Sequence, residues 1–133
     1  MQGRPFFDTN VLIYALAQND FRSDRAEELL RSGGVLSVQV LNEFVSVARR
    51  KLLMPWQDVT DALAAIRVLC PDPIPLTIEV HDAAVEIAQK YGYGIYDALV
   101  IASAIDASYS TLFSEDLRDG QVIDGRLTIQ NPF

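Results

Sequence analysis

The chain is predicted to adopt an α/β fold, a three-layer α/β/α sandwich with a mainly parallel central sheet. Three observations predict it. Short apolar runs alternate with longer stretches of helical periodicity, the pattern of a parallel sheet covered by helices on both faces. The 133 residues suit one compact domain spanning 1–133, with no internal repeat, low-complexity tract or interdomain linker. A content of 50% apolar and 22% charged residues is too apolar for disorder and too charged for a membrane segment.

Phe6-Phe7-Asp8 is the end of a first strand, and Val11, Leu12, Tyr14, Ala15 and Leu16 continue as a helix. Asp24 followed three residues later by Glu27 resembles a capping box opening a helix through Leu30, which Gly33-Gly34 ends. Val35-Leu36-Ser37-Val38 is then a short second strand. From Val40 to Leu52 an apolar stripe at Val40, Phe44, Val47 and Ala48 predicts a helix, interrupted by Pro55. Another helix covers Gln57 to Leu69. The turn Pro71-Asp72-Pro73-Ile74-Pro75 leads into a strand near Leu76. Helices over Glu79 to Tyr91 and Tyr96 to Ala107 are separated by Gly92-Tyr93-Gly94. Thr111-Leu112-Phe113 and Leu127-Thr128-Ile129 complete the sheet.

The net charge is −7 and the pI about 4.5, which argues against a nucleic-acid binder held by bulk charge, because phosphate neutralisation needs clustered Lys and Arg. No secretion leader or membrane span is legible from Met1 onward. The single cysteine, Cys70, excludes an intrachain disulfide, and no Cys/His cluster suggests structural zinc, so a cytoplasmic location is expected. Cys70, without a histidine partner, is expected to be a buried or half-buried thiol.

Functional groups of an open parallel sheet collect beyond the carboxyl ends of its strands. Asp8 follows the first strand, and Asp116 follows Thr111-Leu112-Phe113 after two intervening residues, so adjacent parallel strands would bring them to one edge. Glu43 interrupts the apolar stripe Val40-Phe44-Val47, and Asp97 precedes the apolar run Ala98-Leu99-Val100-Ile101-Ala102. Carboxylates so placed need a partner, and a bound metal would be one. Each has an ordinary alternative: Asp8 as helix cap, Asp97 as a first-turn acid, Glu43 as an edge acid reaching water, Asp116 as a turn residue. What favours a site is that all four fit one location.

The segments Phe7-Asp8-Thr9-Asn10-Val11-Leu12-Ile13-Tyr14-Ala15, Ser37-Val38-Gln39-Val40-Leu41-Asn42-Glu43-Phe44, Ile95-Tyr96-Asp97-Ala98-Leu99-Val100-Ile101-Ala102-Ser103-Ala104 and Leu112-Phe113-Ser114-Glu115-Asp116-Leu117 occur in that order. Together they resemble the PIN domain, in particular the VapC-type toxin ribonucleases of type II toxin–antitoxin pairs, over essentially the whole chain. The resemblance implies a metal-dependent endoribonuclease whose acidic quartet is Asp8, Glu43, Asp97 and Asp116, the last being the least constant position of the four. It implies that Asn10 orients Asp8 and that Ser114 lies near the site. It also implies a cognate VapB-type antitoxin covering the acids, and a homodimer.

Chemically, RNA phosphodiester hydrolysis by such a site calls for Mg²⁺ or Mn²⁺, hard cations that take oxygen ligands, with Asp8 and Asp97 as principal ligands and Asp116 and Glu43 in support. Whether one ion or two are held stays open. A metal-activated water leaves a 5′-phosphate and a 3′-hydroxyl, whereas a metal-free route through the 2′-hydroxyl needs acid–base side chains such as paired histidines. The one histidine, His81, lies beside Asp82 in an amphipathic stretch and is expected on the surface. Removing the four acids from the net charge of −7 leaves −3, so RNA contact must be local. Arg49-Arg50-Lys51 is the candidate phosphate clamp, or simply favourable charge at a helix C-terminus. Ser37 is expected as a helix N-cap, and Leu52-Leu53-Met54-Pro55-Trp56 as core or as a partner surface. The competing functions are a PIN nuclease of ordinary RNA processing, a non-catalytic binding module, and a receiver-like acidic metal-binding module. The receiver needs a late-strand lysine, but the last lysine here is Lys90.

Overall fold

Phe6 and Phe7 form strand β1 (Phe6–Phe7), and both rings are fully buried, which ties the start of the domain to the core. A computed structural model describes residues 3–17 and 20–133; Met1 and Gln2, on which the expected absence of a leader partly bears, lie outside the described residues. β1 pairs in parallel with β2 (Thr111–Phe113), Phe6 opposite Leu112 and Phe7 opposite Phe113. β2 pairs in parallel with β4 (Leu127–Gln130), and β3 (Val122–Ile123) closes that edge antiparallel to β4. The strand order is β1-β2-β4-β3, so the α/β class with a mainly parallel sheet is observed.

The expected strand Val35–Val38 is reduced to single bridges, from Val35 to Phe6 and from Ser37 to Ile74. Ser37 explains why it stops there. Its Oγ accepts the Val40 N–H at 3.2 Å and caps α3 (Val38–Arg50), so Val38 already belongs to the helix. The strand expected near Leu76 is likewise the lone bridge at Ile74, two residues earlier. Gly34 permits this crowding, since a Cβ there would lie 2.6 Å from the Phe7 ring and 2.7 Å from the Pro5 carbonyl.

Among the described residues six helices surround the sheet: α1 (Thr9–Leu16), α2 (Ser23–Ser32), α3, α4 (Trp56–Leu69), α5 (Ile78–Tyr91) and α6 (Ile95–Asp106). The capping box at Asp24 is not formed. Asp20 Oδ1 accepts the Arg22 N–H at 2.8 Å and fixes the entry turn, so α2 starts at Ser23 and Asp24 sits in its first turn. α5 is capped by Thr77 Oγ1 and ends at Gly92 in the left-handed conformation, as the Gly92-Tyr93-Gly94 punctuation predicts. α6 is buried from Ala98 to Ile105 and packs on α5, α3 and β2, which explains its nearly unbroken apolar run. α1 packs against α2 and α3, and α3 also against α4.

Leu52-Leu53-Met54-Pro55-Trp56 is not core. Leu53 is 77% and Trp56 57% exposed, and only Met54 packs against the buried cluster. Cys70 is buried, and its surroundings raise its pKa by desolvation. His81 is exposed on α5. No helix among the described residues is long and apolar enough to cross a membrane.

Candidate active site

Asp8 leaves β1 where the chain turns into α1, and the ladder bond from its own N–H to the Phe113 carbonyl, 3.0 Å, ties that turn to the end of β2. Its Oδ1 accepts the Thr9 N–H at 2.7 Å, so the ordinary capping role and the strand-end location coincide in one residue. Its Oδ2 accepts a 2.7 Å hydrogen bond from the Ser114 hydroxyl. Ser114 is the first residue after β2 and is fully buried.

Glu43 stands in the second turn of α3 and faces α1, where Thr9 Oγ1 donates to its Oε2 at 3.2 Å. Asp97 lies in the first turn of α6, and Asp116 in the turn after β2. A hollow of about 350 Å³ at this edge is lined by Asp8, Asn10, Glu43, Lys51, Asp97 and Asp116 among others. All four acids singled out in the sequence therefore open onto one space.

Their electrostatics bear the mark of shared space. Desolvation, partly offset by the bonds from Ser114 and Thr9, pushes Asp8 up to about 6, with the charges of Asp97 and Asp116 adding to the rise. Glu43 is pushed up to about 7, first by desolvation and then by Asp8, with Asp97 and Asp116 contributing. Asp97 is raised by desolvation and by Asp116. Carboxylates held this way at neutral pH favour a cation among them.

Asn10 makes no direct hydrogen bond to Asp8 and reaches it only through Ser114. Its Nδ2 donates to Asp116 Oδ2 at 3.3 Å and to Ser114 Oγ at 3.4 Å, while its Oδ1 accepts the Glu115 N–H at 3.3 Å. The amide thus fastens the loop after β2, and the residue that holds Asp8 is Ser114. Of the candidate clamp, Arg49 is engaged elsewhere: it donates to the Met54 carbonyl at 2.8 Å and lies 4.7 Å over the Trp56 ring. Arg50 and Lys51 are exposed, and Lys51 lines the acidic hollow.

Sequence reasoning missed four residues that serve this edge: Thr9, Tyr14, Arg22 and Glu115. Thr9 supports Glu43, and nothing local in the sequence joins residues 34 positions apart. Glu115 is the direct neighbour of Asp116 yet does not line the hollow. The Tyr14 hydroxyl and Arg22 Nη1, the latter at 2.7 Å, both donate to Glu115 Oε1, and the Arg22 guanidinium lies 3.9 Å over the Tyr14 ring. These contacts hold Glu115 below its ordinary pKa and tie the Asp116 loop to α1 and to the turn that enters α2.

With the acids so arranged, comparison with known proteins is informative. The family model of the PIN domain matches residues 6–121. The chain belongs to the PIN domain family. That assignment removes the receiver-like alternative. No curated protein matches the chain. Several solved structures share the fold. A toxin–antitoxin complex from Klebsiella pneumoniae aligns with TM-score 0.73 and 19% identity, over 97% of this chain and 98% of that one. VapC20 of Mycobacterium tuberculosis, described as a sarcin-ricin loop cleaving toxin, aligns with TM-score 0.68 and 22% identity, over 84% and 90%. VapBC2 of Rickettsia felis, bound to a DNA fragment from its promoter, aligns with TM-score 0.69 and 20% identity, over 95% and 96%. This PIN domain thus shares its fold, over most of its length, with chains of toxin–antitoxin systems.

Proposed function

We propose that this PIN domain is a metal-dependent endoribonuclease and the toxin of a type II toxin–antitoxin pair. The observation that carries the reading is the convergence of Asp8, Glu43, Asp97 and Asp116 on one hollow beyond the carboxyl ends of β1 and β2. Support comes from solved structures of the same fold, one described as a sarcin-ricin loop cleaving toxin, one as a toxin–antitoxin complex and one as VapBC2 bound to promoter DNA.

The donor set fits a hard divalent cation. It is all oxygen, and its carboxyls are raised by burial and mutual repulsion, a cost that a cation among them offsets. Among the described residues no three acids, histidines or cysteines are close enough to form a ready-made cage. Mg²⁺ does not require such a cage, since it ordinarily keeps several waters and takes one or two protein carboxylates. Asp8 and Asp97 would be the principal ligands, with Asp116 and Glu43 completing or supporting the site. Such an ion supplies an activated water and charge relief on the phosphate.

The chain's own residues prepare that chemistry. Ser114 and the Thr9 N–H each hold one oxygen of Asp8, fixing the carboxylate plane. Thr9 Oγ1 steadies Glu43, and Asn10 steadies Asp116. Lys51, on the wall of the hollow, is placed to meet a substrate phosphate. The partners that follow are RNA as substrate, a VapB-type antitoxin covering the acids, and a second copy in a homodimer. Induced expression in a bacterial host tests the toxin assignment. Growth arrest relieved by Asp8→Asn, with a small DNA-binding protein co-purifying from the native operon, is the expected result. Equal growth with and without induction would contradict it.

A further inference from the structure

A second hollow of about 520 Å³ adjoins the acidic one and shares Glu43 and Val47 with it. The rest of its wall is of a different character: Gln39, Asn42, Ser46 and Arg50 from α3, and Tyr96 from the start of α6. Three features point to a ligand. Tyr96 is 63% exposed although it is a large aromatic side chain directly preceding Asp97. Gln39 lines the hollow, and its amide makes no hydrogen bond among the described residues. Such an amide keeps two donors and an acceptor free for a group entering the hollow. Arg50 is exposed and forms no ion pair among the described residues, unlike Arg22, Arg25 and Arg31.

We propose that this hollow is a nucleobase subsite for single-stranded RNA, holding the base of a nucleotide beside the scissile phosphate. Tyr96 supplies a stacking face, Gln39 and Asn42 supply donors and acceptors for the edge of the base, and Arg50 meets the neighbouring phosphate. An aromatic face, amides and a cation together are what unstacked RNA bases are recognised by, and duplex RNA would not present a base edge here. The inference rests on the ribonuclease reading, because it takes the scissile phosphate to lie at the acids. The shared wall at Glu43 connects specificity to chemistry: a base seated against Tyr96 brings its own backbone to the edge where Asp97 stands.

The test measures binding without turnover. In an Asp8→Asn background with Mg²⁺, fluorescently labelled random-sequence RNA hexamers are titrated with protein, alongside fully abasic ribose-phosphate hexamers of the same length. Tyr96→Ala is expected to weaken hexamer binding by about tenfold or more, in line with the worth of one base–aromatic stack. Tyr96→Phe should stay within about twofold, because the stacking face is kept, and the abasic hexamer should not distinguish any of the three. Gln39→Ala should weaken base-containing hexamers alone, and Arg50→Gln should weaken both kinds and flatten the salt dependence. Unchanged affinity in Tyr96→Ala and Gln39→Ala, or an equal loss for abasic hexamers, would overturn the subsite while leaving the ribonuclease reading standing. If the Asp8→Asn protein binds base-containing and abasic hexamers equally weakly, the subsite is overturned, and the ribonuclease reading is judged separately by metal-dependent cleavage with the wild type.

Discussion

The Ser114 hydroxyl donates to Asp8 Oδ2 at 2.7 Å, across 106 positions of sequence, and the same oxygen accepts the N–H groups of Asp116 and Leu117 at 3.2 and 3.3 Å. One buried atom therefore sets both the orientation of Asp8 and the shape of the turn that carries Asp116. The parallel pairing of β1 with β2 is what makes the contact possible.

Ser114→Ala removes that atom, leaving one carboxylate oxygen, the Asn10 amide and the N–H groups of Asp116 and Leu117 without it. Supporting contacts of this kind are worth about 10- to 100-fold in metal affinity or activity. The variant should lose that much RNA cleavage and require more Mn²⁺ to reach half-maximal rate, while circular dichroism shows an intact fold. A Mn²⁺ titration matching the wild type would mean that Ser114 does not hold the site.

Asp8 has a folded pKa of about 6 against an unfolded value near 3.8, raised chiefly by desolvation. A raised carboxyl destabilises the folded chain when ionised: the cost is complete above about pH 6 and is absent below the unfolded pKa. In metal-free protein Asp8→Asn should therefore be more stable than the wild type at pH 8, by on the order of 1–3 kcal/mol, with the gain shrinking as pH falls toward 5. Urea unfolding in chelator at the two pH values checks this. An Asn variant less stable at pH 8 would show that the hydrogen bonds Asp8 accepts from Thr9 and Ser114 outweigh the cost of burying its charge.

Arg22→Ala removes the cation paired with Glu115 and lying over the Tyr14 ring, leaving Glu115 held by the Tyr14 hydroxyl alone as an uncompensated charge next to Asp116. The variant should melt at a lower temperature and cleave more slowly, and Glu115→Gln should compensate in part by removing the uncovered charge. A thermal melt of the single and double variants reads the coupling directly.

The Cys70 thiol, buried and raised by desolvation, should resist alkylation by iodoacetamide in native protein and react in urea. Rapid native labelling would place it at the surface.

Much of this molecule was legible from local pattern, and the exceptions share a cause. The long helices announce themselves because α3, α4 and α5 each bury one face at helical spacing. The segment Val35–Val38 is apolar enough for a strand, but Ser37 competes for the backbone as a cap and wins. β3 escaped because two residues, Val122 exposed and Ile123 buried, carry no periodicity. Leu52, Leu53 and Trp56 look like core in sequence because hydrophobicity alone does not report exposure. At the site, Asp8 and Asp116 could be placed at one sheet edge by topology, and Glu43 by its position on an apolar stripe. The hydrogen bonds that hold them could not. Asn10 reaches Asp116 across 106 positions and Thr9 reaches Glu43 across 34, distances over which spacing carries no information.

The most direct test of the central claim is cleavage of a mixed RNA pool by purified, antitoxin-free protein, comparing wild type with Asp8→Asn and Asp97→Asn, with Mg²⁺ or Mn²⁺ and with chelator, and mapping the product ends. The account predicts cleavage only with the divalent ion, products bearing 5′-phosphate and 3′-hydroxyl ends, and a loss of about 100-fold or more in either variant. Cleavage that persists in chelator, that leaves a cyclic phosphate, or that is equal in wild type and both variants would contradict it.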